Sequence, residues 1–207
     1  PLSVQIGEYY AAQRRISFQN IIRIGFPPGK TVMTVPEFDA LRSWVTEKTL
    51  LGVEAYVLTW MAPYRVDCMS ITSAFTFGYS TAYCADGCKT TQQSPYFNSP
   101  ARLPFSQLGI RPTMALAATS FEQAKALIDR GVAADGTKPA GTAYLLTTFD
   151  RDRGVRAATY PLVEKMLKGR LQVRTLNQES LKNAKDVLFY FIGRASVESL
   201  ETLRFLP

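Results

Sequence analysis

Histidine is absent from this chain of 207 residues. That absence removes the imidazole on which the common Ser-His and Cys-His catalytic pairs depend. It also removes the commonest nitrogen ligand for zinc. Cysteine is scarce, with three residues in all, and Cys68, Cys84 and Cys88 fall within one short stretch, "DCMSITSAFTFGYSTAYCADGC". Long hydrophobic runs are missing as well. The longest, "VLFYFIG" at residues 187–193, has the length of a buried strand and falls far short of the ~18 to 20 apolar residues that cross a bilayer. No transmembrane segment is expected. The chain opens on Pro1 without a charged and then apolar leader, so a signal peptide is expected to be absent or already removed.

Acidic residues are the minority charge. Lys plus Arg number 24 against 17 Asp plus Glu, a formal charge of +7. An excess of this sign favours polyanions through sequence-independent electrostatics. The densest basic region is Arg151, Arg153 and Arg156 followed by Lys165, Lys168, Arg170 and Arg174, which marks the candidate anion-binding residues. Acidic polysaccharide is the partner class this region suits. Aromatic residues do not interleave with the cations as they do in single-strand binders, so no specific nucleic acid is expected. Within "FDRDRG" at residues 149–154, Asp150 and Asp152 offer an anion or divalent-ion site, but alternating acids and arginines more often form a self-neutralising turn.

What is present is a rhythm of helices and strands. The segment "SVQIGEYYAAQRR" spaces Val4, Ile6, Tyr9 and Tyr10 as a helix does, with Ser3 as candidate cap. The run "NIIRIGF" follows as a strand over residues 21–26, stopped by "PPG". A second helix is expected from "TVPEFDALRSWVTEKTLL", with Phe38, Leu41, Trp44, Val45 and Thr49 on one face and Pro36 in the first turn. Strands are then expected at residues 55–60, 113–118, 141–149, 171–177 and 186–193, with helices from "SFEQAKALIDRGV" and "RAATYPLVEKMLKG" between them. Continuous apolar strands alternating with helices predict an α/β fold: a largely parallel sheet with helices on both faces, doubly wound in three layers. One domain over residues 1–207 is drawn, carrying one long insertion at about residues 67–112.

That insertion has few charges and is rich in Ser, Thr, Tyr, Phe and Pro, which makes residues 68–111 the expected contact surface for a protein partner or a second copy. Its cysteines admit several readings. Asp86 and Gly87 give Cys84 and Cys88 a turn on which a disulfide closes, and pairing of Cys68 with either is the alternative. Reduced, buried thiols are the reading for a reducing compartment. A zinc site would need Asp67 or Asp86 beside three thiolates, outside the common ligand sets, so no metal is expected. The nearest approach to a catalytic set is Asp67, Cys68 and Ser70, with no imidazole to take a proton. "GFPPGKT" at residues 25–31 resembles a phosphate loop only superficially, because its prolines remove the amides that would cradle the anion; no cofactor is expected.

Several blocks together carry a family likeness: "IGEYYAAQRRISFQNIIRIGFP", "YVLTWMAPYRVDCMSITSAFTFG", "SPYFNSPARLPF", "LGIRPTMALAA" and "ALIDRGVAADGTKPAGTAYLLTTFDRDR". They resemble an uncharacterised family of exported bacterial proteins found mainly in bacteria with the PEP-CTERM surface-sorting system. The resemblance implies an extracytoplasmic location and oxidised cysteines. It also implies a longer parent chain, with a strand before the first helix and a further C-terminal region. That region bears a faint architectural resemblance to caspase-like peptidases of the gingipain type, whose His-Gly pair follows a hydrophobic strand. Here the corresponding strand ends in Ile192, Gly193 and Arg194, without the histidine.

No reaction is named by these features. The leading expectation is a noncatalytic, exported cell-envelope protein that binds or assembles with other macromolecules. The alternatives are a hydrolase related to caspase-like peptidases, lacking part of its site in this chain, and a polyanion-binding protein.

Overall fold

Helix α2 (Val35–Lys48) shows how sequence becomes structure here. Thr34 caps it, Pro36 fits its first turn, and the Glu37 carboxylate reaches back to the Thr34 amide at 2.9 Å in a capping box. The hydrogen bond from Lys30, followed by those from the Thr34 amide and hydroxyl, holds the Glu37 carboxyl down at about 2. The face expected from spacing is only partly the buried one: Phe38 and Val45 are buried, whereas Trp44 remains 40% exposed. A computed structural model of the chain describes residues 1–206 apart from Pro28, Asp86, Cys88 and Pro139.

The chain divides into two compact units, Pro1–Asp129 and Arg130–Pro207. The first unit opens with α1 (Leu2–Gln13), whose cap position is Pro1 rather than the expected Ser3. Its strands are β1 (Val32–Met33), β2 (Tyr56–Leu58), β3 (Arg65–Val66), β4 (Met69–Ser70) and β5 (Thr113–Ala115). They form two small sheets. β1 runs parallel to β3, which turns back antiparallel into β4, and β2 pairs in parallel with β5. Helices α3 (Ile71–Phe77), α4 (Pro104–Leu108) and α5 (Phe121–Ala133) complete the elements that begin in this unit. Its core gathers Phe38, Val66, Met69, Ile71, Ala74 and Phe75, with Phe38 and Phe75 edge to face at 5.2 Å.

The expected strand at residues 21–26 joins no ladder, although Ile21 has an extended backbone. Its side chains alternate as a strand's do: Ile22, Ile24 and Phe26 pack on the core while Arg23 and Gly25 are exposed. The side chains alternate there without backbone pairing among the described residues.

The second unit contains β6 (Thr142–Thr147), α6 (Tyr160–Leu167), β7 (Gln172–Asn177) and β8 (Val187–Ile192). β6 lies in the middle, parallel to β7 on one side and β8 on the other. Being central, β6 is buried along five of its six residues, and its one buried polar side chain, Thr142, donates to Asp186 at 2.6 Å. Tyr144 donates to the same carboxylate at 2.7 Å, and these bonds hold Asp186 below the usual aspartate range. Gly193, just past β8, sits where a Cβ would come within 2.8 Å of the Arg153 and Gly154 main chain, so only glycine fits without movement. The architecture is mixed α/β with several small parallel pairings. Among the described residues no helix is long and apolar enough to cross a membrane.

Candidate functional site

The expected insertion separates into two parts. Residues 67–84 belong to the body of the first unit, since Met69, Ile71, Ala74 and Phe75 are core residues. Asp67 and Cys68 form the two-residue turn of the β3–β4 hairpin, where Val66 pairs with Met69. Asp67 adopts a left-handed φ of 45°, which aspartate tolerates better than most residues. The Asp67 amide donates to Met33 at 3.1 Å, fastening the turn to β1.

Cys68 is bonded to Cys84, with Cα atoms 5.4 Å apart. Cys84 therefore pairs across the α3 segment, which is the alternative pairing expected for Cys68; the expected turn joining Cys84 to Cys88 falls on Asp86 and Cys88, which lie outside the described residues. The reason is tertiary. α3 ends at Gly78, whose φ of 82° turns the chain, and the short 3-10 helix Thr81–Tyr83 then delivers Cys84 to the hairpin tip. Phe77 and Tyr83 stack at 4.6 Å, closing the same reversal. Tyr79 donates to Asp67 at 2.6 Å, and sharing its proton with that carboxylate keeps the phenol above its usual value.

Asp67, Cys68 and Ser70 are thus near one another, but each already has a structural partner. Ser70 caps α3, accepting from the Ser73 amide at 3.1 Å, and Cys68 is in the disulfide. No nucleophile among them faces a free base.

From Lys89 the chain runs as a largely exposed loop and returns at α4. Both ends of the loop are fixed. At the start, the disulfide acts with a bond from the Gln92 amide to Ala82 at 2.8 Å. At the return, Glu54 accepts from the Phe105 and Ser106 amides at 2.6 and 3.2 Å and from the Ser106 hydroxyl. Arg111 lies over the Phe105 ring at 3.2 Å and donates to Val53 at 2.8 Å. Between these anchors Phe97 is 64% and Leu103 52% exposed. Sequence reasoning missed Glu54, which sits 51 residues from its amide partner and carries no local signal.

The hydrogen bonds at Glu54, led by that from Ser106, lower its carboxyl below the ordinary value of 4.5. A depressed folded-state pKa stabilises above the unfolded value and loses that contribution as pH falls through the folded one. The difference in unfolding midpoint between the native chain and Glu54→Gln should therefore be full above about pH 5 and shrink on acidification below about pH 4. A pH-independent difference would show that the carboxylate is not what anchors α4.

In the second unit, Arg151, Arg153, Arg156, Lys165, Lys168 and Arg170 are all exposed, on the turn after β6, a 3-10 helix (Gly154–Thr159), α6 and the turn beyond it. Asp150 accepts from the Arg153 amide at 2.9 Å and from its guanidinium at 3.1 Å, so this turn neutralises itself in part. At the carboxyl ends of the strands, Thr148 donates to Gly193 at 2.7 Å, and Glu179 accepts from the Phe149 amide and from Arg194, each at 2.7 Å. These bonds tie the ends of β6, β7 and β8 together.

No protein-family model, curated protein or solved structure matches this chain. Its function is therefore argued from the geometry alone.

Proposed function

We propose that this chain is a noncatalytic extracytoplasmic protein, of the periplasm, cell surface or secreted fraction, that assembles with another macromolecule through the loop at residues 89–103. The observation that carries this reading is a loop with two fixed ends and an exposed apolar tip. Anchoring removes part of the ordering cost that a partner would otherwise meet, and exposed Phe97 and Leu103 supply apolar area to bury. The Cys68–Cys84 pair supports the compartment, since such bonds persist where the surroundings are oxidising. Kinship with the exported bacterial family belongs to the same reading. So does the doubly wound, three-layer arrangement, for which the parallel order β7, β6, β8 is the support in the second unit.

The test is a photo-crosslinking residue placed at Phe97 in the source organism. Discrete adducts are expected there and not at Leu51, which is 96% exposed elsewhere in the same unit. Phe97→Asp combined with Leu103→Asp should abolish complex formation while leaving the unfolding midpoint unchanged. Equal labelling at both positions, or none, would sink the proposal.

A second reading, binding of acidic polysaccharide, draws on the six exposed cations of the second unit, of which Arg153 alone shows an ion pair among the described residues. It predicts that retention on a sulfated polysaccharide falls steeply with salt and weakens in Arg151→Gln with Lys168→Gln. Salt-insensitive retention would exclude it.

A further inference from the structure

The second unit turns apolar side chains outward from a helix. The inner row of α6 is marked by Tyr160, which is buried and donates to the Leu146 carbonyl at 3.4 Å, and by the half-buried Val163 and Leu167. Leu162 and Met166 stand one turn apart outside that row, 58% and 66% exposed, with Lys165 beside them. A surface helix ordinarily turns polar side chains to water, so α6 carries more apolar surface than the core of its unit uses. The segment before it does the same. Val155 in the 3-10 helix is 71% exposed, and Phe149, in the turn after β6, 86%. Of the eight large apolar side chains that are at least 58% exposed among the described residues, these are four, gathered within residues 149–166.

The main chain that presents them is held. Glu179 accepts from the Phe149 amide at 2.7 Å, and Asp150 accepts from the Arg153 amide at 2.9 Å. Cations alternate with the apolar side chains along the same stretch. Arg151, Arg156, Lys165, Lys168 and Arg170 are exposed and show no ion pair among the described residues, while Arg153 is tied to Asp150. The other acids there are Asp152 and Glu164, and Glu164 accepts from Thr175 of β7 at 3.5 Å, towards the sheet.

We infer that residues 149–170 are a membrane-surface site, by which the chain lies against a bilayer rich in anionic phospholipid, with Leu162 and Met166 entering the acyl boundary and the cations at the headgroups. The partner follows from the two features occurring together. A polysaccharide offers charge but no hydrocarbon for Phe149, Val155, Leu162 and Met166 to enter, and a second copy of this face would bring like charges together. An anionic bilayer surface supplies both layers, a negative headgroup plane over an apolar interior. Lysine suits that boundary, because its stem lies along apolar surface while the ammonium stays in water. With 8 residues, α6 is far too short to span a bilayer and lies in its plane. The inference does not rest on the loop at residues 89–103. It draws on the cations of the polysaccharide reading, and its test separates the two.

The probe is a vesicle of phosphatidylglycerol and phosphatidylcholine in equal parts, with pure phosphatidylcholine as the comparison. The full chain should sediment with the first and not with the second. Leu162→Ser combined with Met166→Ser, both on the exposed row, should weaken vesicle binding about tenfold and leave retention on a sulfated polysaccharide unchanged. Lys165→Gln combined with Lys168→Gln should weaken vesicle binding by about tenfold as well. Met166→Trp gives a readout that needs no loss of binding and decides the matter should the serine variant misfold. Its emission should shift to the blue on anionic vesicles and be quenched by lipid brominated in the acyl chain, beyond any change in the native chain. Absence of binding to the anionic vesicles overturns the inference. Unweakened binding of a folded serine variant, or a Met166→Trp emission that the brominated lipid leaves alone, overturns it in favour of charge alone, the case of an acidic polysaccharide. Equal binding to both vesicles overturns it in favour of apolar adhesion without charge recognition.

Discussion

Cys84→Ala should lower the stability of the first unit by about 3 kcal/mol and expose the loop that follows it. The bond spans a sequence separation of 16, and closing a loop of that size restricts the unfolded chain by about that amount. In a unit of this size the loss amounts to roughly 10 °C in the unfolding midpoint. Cys68→Ala should match it, because the two cysteines share one bond, and the double variant should cost no more than either single one. Cys88→Ala should leave the midpoint where it was. Thermal unfolding of the four variants, with and without reductant, checks this pattern. If Cys88→Ala proved as harmful as Cys84→Ala, the pairing described here would be wrong. Direct mapping needs chymotrypsin together with a protease that cleaves before aspartate, since trypsin would leave all three cysteines in one peptide, with no lysine or arginine between Arg65 and Lys89, and only cleavage before Asp86 separates Cys84 from Cys88. The oxidised chain should show a fragment with Cys68 joined to Cys84 and one alkylated cysteine at 88.

The largest single effect is expected from Phe38→Ala. Phe38 is fully buried, packs edge to face on Phe75, and belongs to the cluster that holds α2 and α3 to the small sheets. Removing a buried phenylalanine leaves a cavity that its neighbours close only in part, at a cost of about 3 to 5 kcal/mol. Urea unfolding should show the midpoint of the first unit falling while the slope of the transition is preserved. Trp44→Ala on the same helix is the comparison. Its ring is 40% exposed, so the cost should be well below that of Phe38→Ala. Similar losses for the two would mean that the helix presents a different face to the core.

These two variants mark the line between what was legible in the sequence and what was not. Helix α2 could be read from local rules, because its cap at Thr34, its Pro36 and its apolar spacing all act within four residues of one another. The buried run of β6 was equally plain, since a central strand needs apolar residues on both faces. Spacing could not say which of two apolar neighbours is covered: Phe38 and Trp44 look alike until other elements pack on one of them. The strand at residues 21–26 shows the same boundary. Its alternation fixed which side chains turn inward, but hydrogen bonding requires a partner strand, and pairing is not written in the segment itself.

At the candidate site the sequence by itself determined the materials: three cysteines in one stretch, no imidazole to make a nucleophile of them, and a loop poor in charge. Only the tertiary structure decided their use. The pairing of Cys84 with Cys68 depends on a hairpin at Asp67, a helix ended by Gly78 and a 3-10 turn, acting in succession to bring together residues that local turn propensity would have left apart. Glu54 anchors a helix about fifty residues further along, a contact whose strength comes from two amides at 2.6 and 3.2 Å and which no sequence period encodes. Short-range preferences act through bonded neighbours and so are readable in the chain. Long-range contacts are set by which surfaces meet once the cores have formed, and that is a property of the fold.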